Sequence, residues 1–253
     1  MAQLSPMMTH YLETKKEYPD CILFYRLGDF YEMFFEDART VSRELELTLT
    51  GKDCGLEERA PMCGVPHHAV ETYLNRLVQK GYKVAICEQM EDPATAKGLV
   101  KRDIIRVVTP GTVIDAACLE EKASNFLCGI YIDSQNAGAA FCDISTGEVY
   151  ATSFPAGAEA LDHLENELGR FHPTEAVLSD GAYHLDGLTD FLRDKLDCMC
   201  ENGGEGRFRY DAALPLVQKQ FRAGLESIPE GDRAAVQAAG GLLTYLYETQ
   251  KTD

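Results

Sequence analysis

Several absences bound this sequence before any residue is singled out. No stretch approaches the roughly 18 uninterrupted apolar residues that a membrane span needs, and no Lys or Arg precedes an apolar core in the first dozen residues, as a secretory signal would require. The expected address is therefore cytoplasmic, with no membrane partner. There is no Walker A lysine loop, no G-x-G-x-x-G and no H-E-x-x-H. The commonest signatures of nucleotide, dinucleotide and metalloprotease chemistry are thus missing. No internal repeat and no low-complexity segment stands out.

Cationic side chains are scarce. The chain has 24 Lys and Arg against 41 Asp and Glu, a net charge of -17. Phosphate binding needs cations, so bulk composition speaks against nucleic acid as a partner. The deficit is uneven. Met1 to Val113 carries 14 basic and 17 acidic side chains, whereas Ile114 to Asp253 carries 10 and 24. The second half is strongly repelled by phosphate; the first is nearly neutral and has room for a local basic face.

What remains is the mixture of a globular protein, 45% hydrophobic and 26% charged. That excludes a mostly disordered chain, collagen and a coiled-coil rod. The length of 253 residues fits one large domain or two small ones. Nine cysteines, an odd number, are read as reduced thiols. Cys198-Met-Cys200 has the spacing of neither a zinc knuckle nor a thioredoxin motif.

The pattern changes along the chain. Ser5-Pro6 is an N-cap with Pro at the first helical position, followed by Met7, Met8, Tyr11 and Leu12 at helical spacing. Cys21 to Leu27 reads as a strand, ended by Gly28-Asp29. A helix is expected from about Phe30 to Leu45. Val70, Tyr73, Leu74, Leu77 and Val78 form a helical stripe, closed by Lys80-Gly81. Val84–Ile86 and Ile104–Val108 read as strands. The apolar pattern then fades, and 114–124 reads as a linker.

Beyond it, Phe126–Ile132, Ala139–Asp143 and Glu148–Ser153 are consecutive strand candidates separated by turn residues. A helix with Leu161, Leu164 and Leu168 follows, then a strand at Ala176–Leu178. A second helix carries Leu188, Phe191, Leu192 and Leu196, and a short strand is expected near Cys198–Cys200. The order β-β-β-α-β-α-β is that of a ribonuclease H-like fold. Ala234 to Tyr247 reads as a helix. The chain stops at Lys251-Thr-Asp253 without a C-cap signal, so it is expected to be a fragment.

Three constellations have the residue types for chemistry. In Arg26-Leu-Gly-Asp-Phe-Tyr-Glu-Met-Phe34, an aromatic beside a carboxylate can wedge between base steps while the acid hydrogen-bonds a base edge. Asp29 and Glu32 also have capping-box spacing, and Phe30, Phe34, Ala38, Val41 and Leu45 fall on one helical face. Spacing alone favours a capped helix with Phe30 in the core. Cys63, His67 and His68 lack a fourth zinc ligand at any usual spacing, and Pro61 and Pro66 make a rigid loop the better reading. Asp133, Asp143 and Asp180 sit near strand ends, where an active ribonuclease H-like nuclease gathers Mg²⁺. Asp is also common there as a turn residue.

The motif Gly28-Asp-Phe-Tyr-Glu-Met-Phe34 resembles the lesion-probing motif of the MutS DNA mismatch-repair family. Ala60-Pro-Met-Cys-Gly-Val-Pro-His-His-Ala-Val70, Val84-Ala-Ile-Cys-Glu-Gln-Met90 with Asp92-Pro-Ala-Thr-Ala-Lys-Gly98, and Arg106-Val-Val-Thr-Pro-Gly-Thr112 resemble further family stretches in the same order. The likeness is close over Leu4 to Thr112 and looser through to Gly240-Gly-Leu-Leu-Thr-Tyr245. It implies an α/β chain with a mixed-sheet mismatch-recognition domain at 1–113. A ribonuclease H-like connector follows at 125–235, and a truncated core helix begins at 236–253. Phe30 would be the wedge at a mispaired base, Glu32 its hydrogen-bonding partner, and Lys52 a phosphate contact or a solvated loop lysine.

The implied partners are mismatched double-stranded DNA, the MutL protein at the connector, and a second copy of the complete protein. No cofactor and no metal are expected in this fragment, which would not itself be an enzyme. ATP and Mg²⁺ would belong to the rest of a full-length, ATP-hydrolysing protein. The alternatives are a metal-dependent nuclease built on the three aspartates and a pure protein-interaction module with Phe30 buried.

Overall fold

The computed structural model describes residues 3–94, 96, 98–113, 124–221 and 232–251. Two compact units emerge, Met1–Thr109 and Pro110–Asp253. The expected linker at 114–124 lies, apart from its last residue, outside the described residues.

The first unit begins with α1 (Pro6–Glu17), capped by Ser5, whose Oγ accepts from the Met8 amide at 3.3 Å. Six strands follow: β1 (Cys21–Leu27), β2 (Phe30–Phe34), β3 (Thr50–Lys52), β4 (Ala60–Pro66), β5 (Lys83–Gln89) and β6 (Arg102–Val108). They form one sheet in the order β3-β4-β2-β1-β5-β6, with β1 and β5 parallel and the other pairs antiparallel. Between strands run α2 (Phe35–Leu45) and α3 (Val70–Val78). On one face Met8 and Tyr11 of α1 pack with Leu23, Tyr25, Phe34, Ala85 and Cys87. On the other lies α2, where the Cys63 thiol donates to the Ala38 carbonyl at 3.4 Å. The stripe in α3 buries Leu74, Leu77 and Val78, and Gly81 closes it with φ +83.

The helix expected from Phe30 to Leu45 is corrected. Its first five residues are strand β2, and α2 begins only at Phe35. A spacing of four is even, so Phe30 and Phe34 share a face in a strand as well as in a helix. The decision comes from pairing: β2 lies between β1 and β4, which take up its backbone groups on both edges. Asp29 and Glu32 therefore form no capping box. Phe35 makes the corner from strand to helix at φ +52, a left-handed conformation uncommon for a bulky residue.

The stretch expected as a rigid loop around Cys63 is likewise a strand, β4. Its prolines fit because each stands where only one neighbouring strand runs alongside. Pro61 faces Gly51 of β3 and Pro66 faces Phe30 of β2.

The second unit holds β7 (Phe126–Ile132), β8 (Asn136–Asp143), β9 (Glu148–Pro155), α4 (Ala160–Phe171), β10 (Glu175–Leu178), α5 (Asp180–Tyr183), α6 (Leu188–Asp190), β11 (Met199–Asn202), α7 (Gly204–Arg207), α8 (Tyr210–Phe221) and α9 (Arg233–Gln250). Phe191–Lys195 continues α6 as a π-helical turn. The sheet order is β11-β10-β7-β8-β9. It is an antiparallel meander of β7, β8 and β9, with β10 parallel to β7 and β11 parallel to β10. This is the ribonuclease H-like arrangement expected from the sequence.

Leu164 and Leu168 of α4 fill one face with Phe126, Ile130 and Phe141. The other face is covered by α9, whose Ala238 and Leu242 join Leu127, Ala140 and Phe208. Residues 236–250, expected to open a further core region, thus belong to the helix that packs on this sheet. Helix α8 was not anticipated.

Candidate nucleic-acid interface

A two-residue turn joins β1 to β2, with Leu27 opposite Phe30. Gly28 takes φ +57 at its first central position, the place glycine fills in a type II′ hairpin. The turn is held from several sides. Arg26 Nε donates to the Gly28 carbonyl at 2.5 Å, and the Gly28 amide donates to Gln89 Oε1 at 3.4 Å. The His67 amide donates to the Asp29 carbonyl at 2.9 Å. Arg102, buried, donates through Nε to the Arg26 carbonyl at 2.8 Å, and its guanidinium lies 5.0 Å from the Tyr25 ring.

On this rigid turn Phe30 stands 47% exposed. Strand alternation puts Glu32 and Phe34 on its face. Phe34 is core, edge-on to Tyr11 at 4.9 Å between ring centroids. Glu32 lies between, half-buried, and Lys52 donates to its Oε2 at 2.5 Å. The Lys52 ammonium also sits 5.9 Å from the Phe34 ring centroid. Gly64 is the cross-strand partner of Glu32; a Cβ there would lie 3.5 Å from Glu32 Cγ and 3.8 Å from Phe30 Cδ1.

The three residues singled out in the sequence, Phe30, Glu32 and Lys52, thus come together on one surface. Sequence reasoning missed the supporting row on the opposite face. There the Tyr31 hydroxyl donates to Glu88 Oε2 at 2.5 Å, and Arg26 reaches the same oxygen at 3.3 Å. Burial, with Glu88 beside it, pushes the Tyr31 hydroxyl well above its ordinary pKa.

The other candidates do not assemble. Cys63 is buried, which pushes its thiol up to about 12, while the His67 and His68 rings stand 6.0 Å apart. Among the described residues no three His, Cys, Asp or Glu side chains gather where they could hold a metal. Asp143 is buried and accepts from the amides of Asn125 and Ser145 at 3.1 and 2.9 Å. It lies opposite Phe126, at the start of β7, whereas Asp133 follows the far end of that strand. Burial at Asp133 opposes ionisation, but the amides of Gln135 and Asn136 and the Tyr131 hydroxyl outweigh it and hold the carboxyl below its usual range. Asp180 begins α5 after the Ser179 cap. Each aspartate is tied into its own turn or helix start.

Residues 5–117 match MutS domain I and residues 125–253 match MutS domain II. The chain belongs to the MutS family. It is 49% identical over its whole length to the DNA mismatch repair protein MutS of Acetivibrio thermocellus and 48% identical to that of Ruminiclostridium cellulolyticum. With the MutS of Lachnoclostridium phytofermentans it shares 47% over 99% of its length. It spans 29%, 29% and 27% of those three proteins.

A fowlpox virus resolvase solved with Holliday junction DNA is 11% identical at a TM-score of 0.35, covering 49% of this chain and 97% of its own. A likeness that low carries no functional weight. In MutS terms the Phe30 hairpin lies in domain I, and the ribonuclease H-like sheet is domain II.

Proposed function

We propose that domain I of this chain recognises mispaired duplex DNA, with Phe30 entering the minor groove as a wedge and Glu32 accepting a hydrogen bond from the mispaired base. The observation that carries this reading is a 47% exposed phenylalanine on a braced hairpin, with a carboxylate two residues along on the same face. Unstacking a base step costs a few kcal/mol and least at a mispair, so a rigid wedge converts weakened pairing into affinity. Mispaired steps also kink more readily. The exposure of Phe30 disfavours the pure interaction module, which needs that ring buried. The separate anchoring of Asp133, Asp143 and Asp180 disfavours the nuclease.

The family relationship supports a wider reading. The complete protein would be a homodimer using ATP and Mg²⁺ outside this chain, with domain II docking MutL, and its place would be the cytoplasm. Co-purification of MutL with the chain would test the docking; capture by domain I but not domain II would sink it.

The test of the wedge is a comparison of affinity for a G·T heteroduplex and its matched duplex, made on the complete gene product with Phe30 and with Phe30→Ala. The alanine protein should lose the heteroduplex preference while staying folded. Binding should also weaken as salt rises. An unchanged preference in the alanine protein would remove Phe30 from the recognition step.

A further inference from the structure

Resting on that reading, we propose that Lys52 is a positioning residue for Glu32 and not a phosphate contact: it holds the carboxylate by one oxygen, cancels its charge toward DNA, and leaves the other oxygen for the base. Three observations carry this. The Lys52 ammonium donates to Glu32 Oε2 at 2.5 Å, and among the described residues no donor reaches Oε1. The pair is only partly exposed, with 32% of the Lys52 side chain and 14% of the Glu32 side chain open to solvent. The lysine is itself guided, because its ammonium stands 5.9 Å from the centroid of the buried Phe34 ring.

The physical case follows from charge. A carboxylate facing a polyanion costs affinity for every sequence. An ammonium bound to Oε2 offsets that cost without occupying Oε1. The held rotamer also spares Glu32 the entropy of ordering when a base arrives. For Lys52 to reach a phosphate instead, it would leave a partly buried carboxylate unpaired, which is expensive. Specificity then lies in the pair and not in Glu32 alone.

A double-mutant cycle on the complete gene product tests this, using G·T heteroduplex and matched duplex over a salt series. Lys52→Met removes the charge and keeps the apolar stem. With Glu32 present it should cut the heteroduplex preference about tenfold, the scale of one charge-assisted hydrogen bond. With Glu32 present it should also weaken binding to both duplexes, because the uncovered carboxylate then faces DNA; in the Glu32→Gln background it should change the preference little. Lys52→Arg should restore the preference, which also guards against a Lys52→Met protein that folds poorly. Equal losses on both duplexes and in both backgrounds, with the salt slope reduced by about one, would make Lys52 a phosphate contact and overturn the proposal. No effect in either background would reduce the pair to a surface ion pair and overturn it equally. A parent protein with no heteroduplex preference would instead overturn the mismatch reading itself, a distinct outcome.

Discussion

The Tyr31 hydroxyl donates to Glu88 Oε2 at 2.5 Å, tying β2 to β5 across the intervening β1. Arg26 of β1 shares that oxygen at 3.3 Å, and its guanidinium lies 5.6 Å from the Tyr31 ring. The row braces the strand whose other face presents Phe30. Tyr31→Phe should lower stability by roughly 1 kcal/mol, the usual net worth of a hydrogen bond, with more if Glu88 stays dry and unpaired. Urea unfolding checks it; an unchanged midpoint would mean that water replaces the hydroxyl at no cost.

Phe30→Ala should leave stability almost untouched, within about 0.5 kcal/mol, because the ring is half outside the fold. The same substitution at Phe34, which is 1% exposed, should cost roughly 3–5 kcal/mol. Thermal melts of the two proteins separate a probe from a core residue four positions away on the same face.

Alkaline pH should unfold domain I sooner than its ordinary tyrosines would suggest. Burial pushes the Tyr25 hydroxyl up to about 12 and raises Tyr11 and Tyr31 as well. The folded state holds these protons more tightly than the unfolded chain. Their contribution is therefore complete below about pH 10 and is lost as pH rises through 12. Cys63 and Cys87, also lifted to about 12, begin to lose their contribution above about pH 9, so denaturant midpoints at pH 8, 10 and 11 should fall in that order. A midpoint that rises above pH 10 would contradict the assignment.

Gly129→Ala should destabilise domain II by about 3 kcal/mol or more. A Cβ at Gly129 of β7 would stand 2.5 Å from the Ala238 carbonyl and 3.0 Å from Leu242 Cβ of α9. The clash is with helix backbone, which cannot swing aside as a flexible side chain could. Gly169→Ala, with nothing within 4 Å of the added methyl, is the matched control and should be close to neutral. Comparable losses at both positions would mean that the close approach of α9 is not what requires glycine.

Alkylation by iodoacetamide at pH 8 should pick out Cys200 among the described cysteines. Its thiol is lowered by the Cys198 hydrogen bond, and also by Arg193, against the opposing effect of burial. Burial lifts Cys63 and Cys87 to about 12 and Cys142 to about 11, leaving little thiolate. Peptide mass spectrometry of the native protein, quenched at short times, reads the order. Faster labelling of Cys63 or Cys87 would contradict it.

Much of the architecture was legible in one dimension. The α3 stripe with its closing Gly81, the Ser5-Pro6 start of α1 and the meander of the second unit are local patterns. Each records burial on one face or a turn that few residues can make. The motif around Phe30 was legible too, but only as a resemblance.

What the tertiary structure decided was the state and surroundings of that motif. Phe30 and Phe34 are four apart, a spacing that marks one face of a helix and of a strand alike. Pairing with β1 and β4 made it a strand and left Phe30 outside the core. The meeting of Glu32 with Lys52, twenty positions along the chain, depends on β3 and β4 joining the sheet beside β2. Tyr31, Arg26 and Glu88 likewise meet only because β1 lies between β2 and β5. The sequence by itself determined periodicity, turns and the residue types available. Strand order, which local patterning does not encode, decided which of those residues touch.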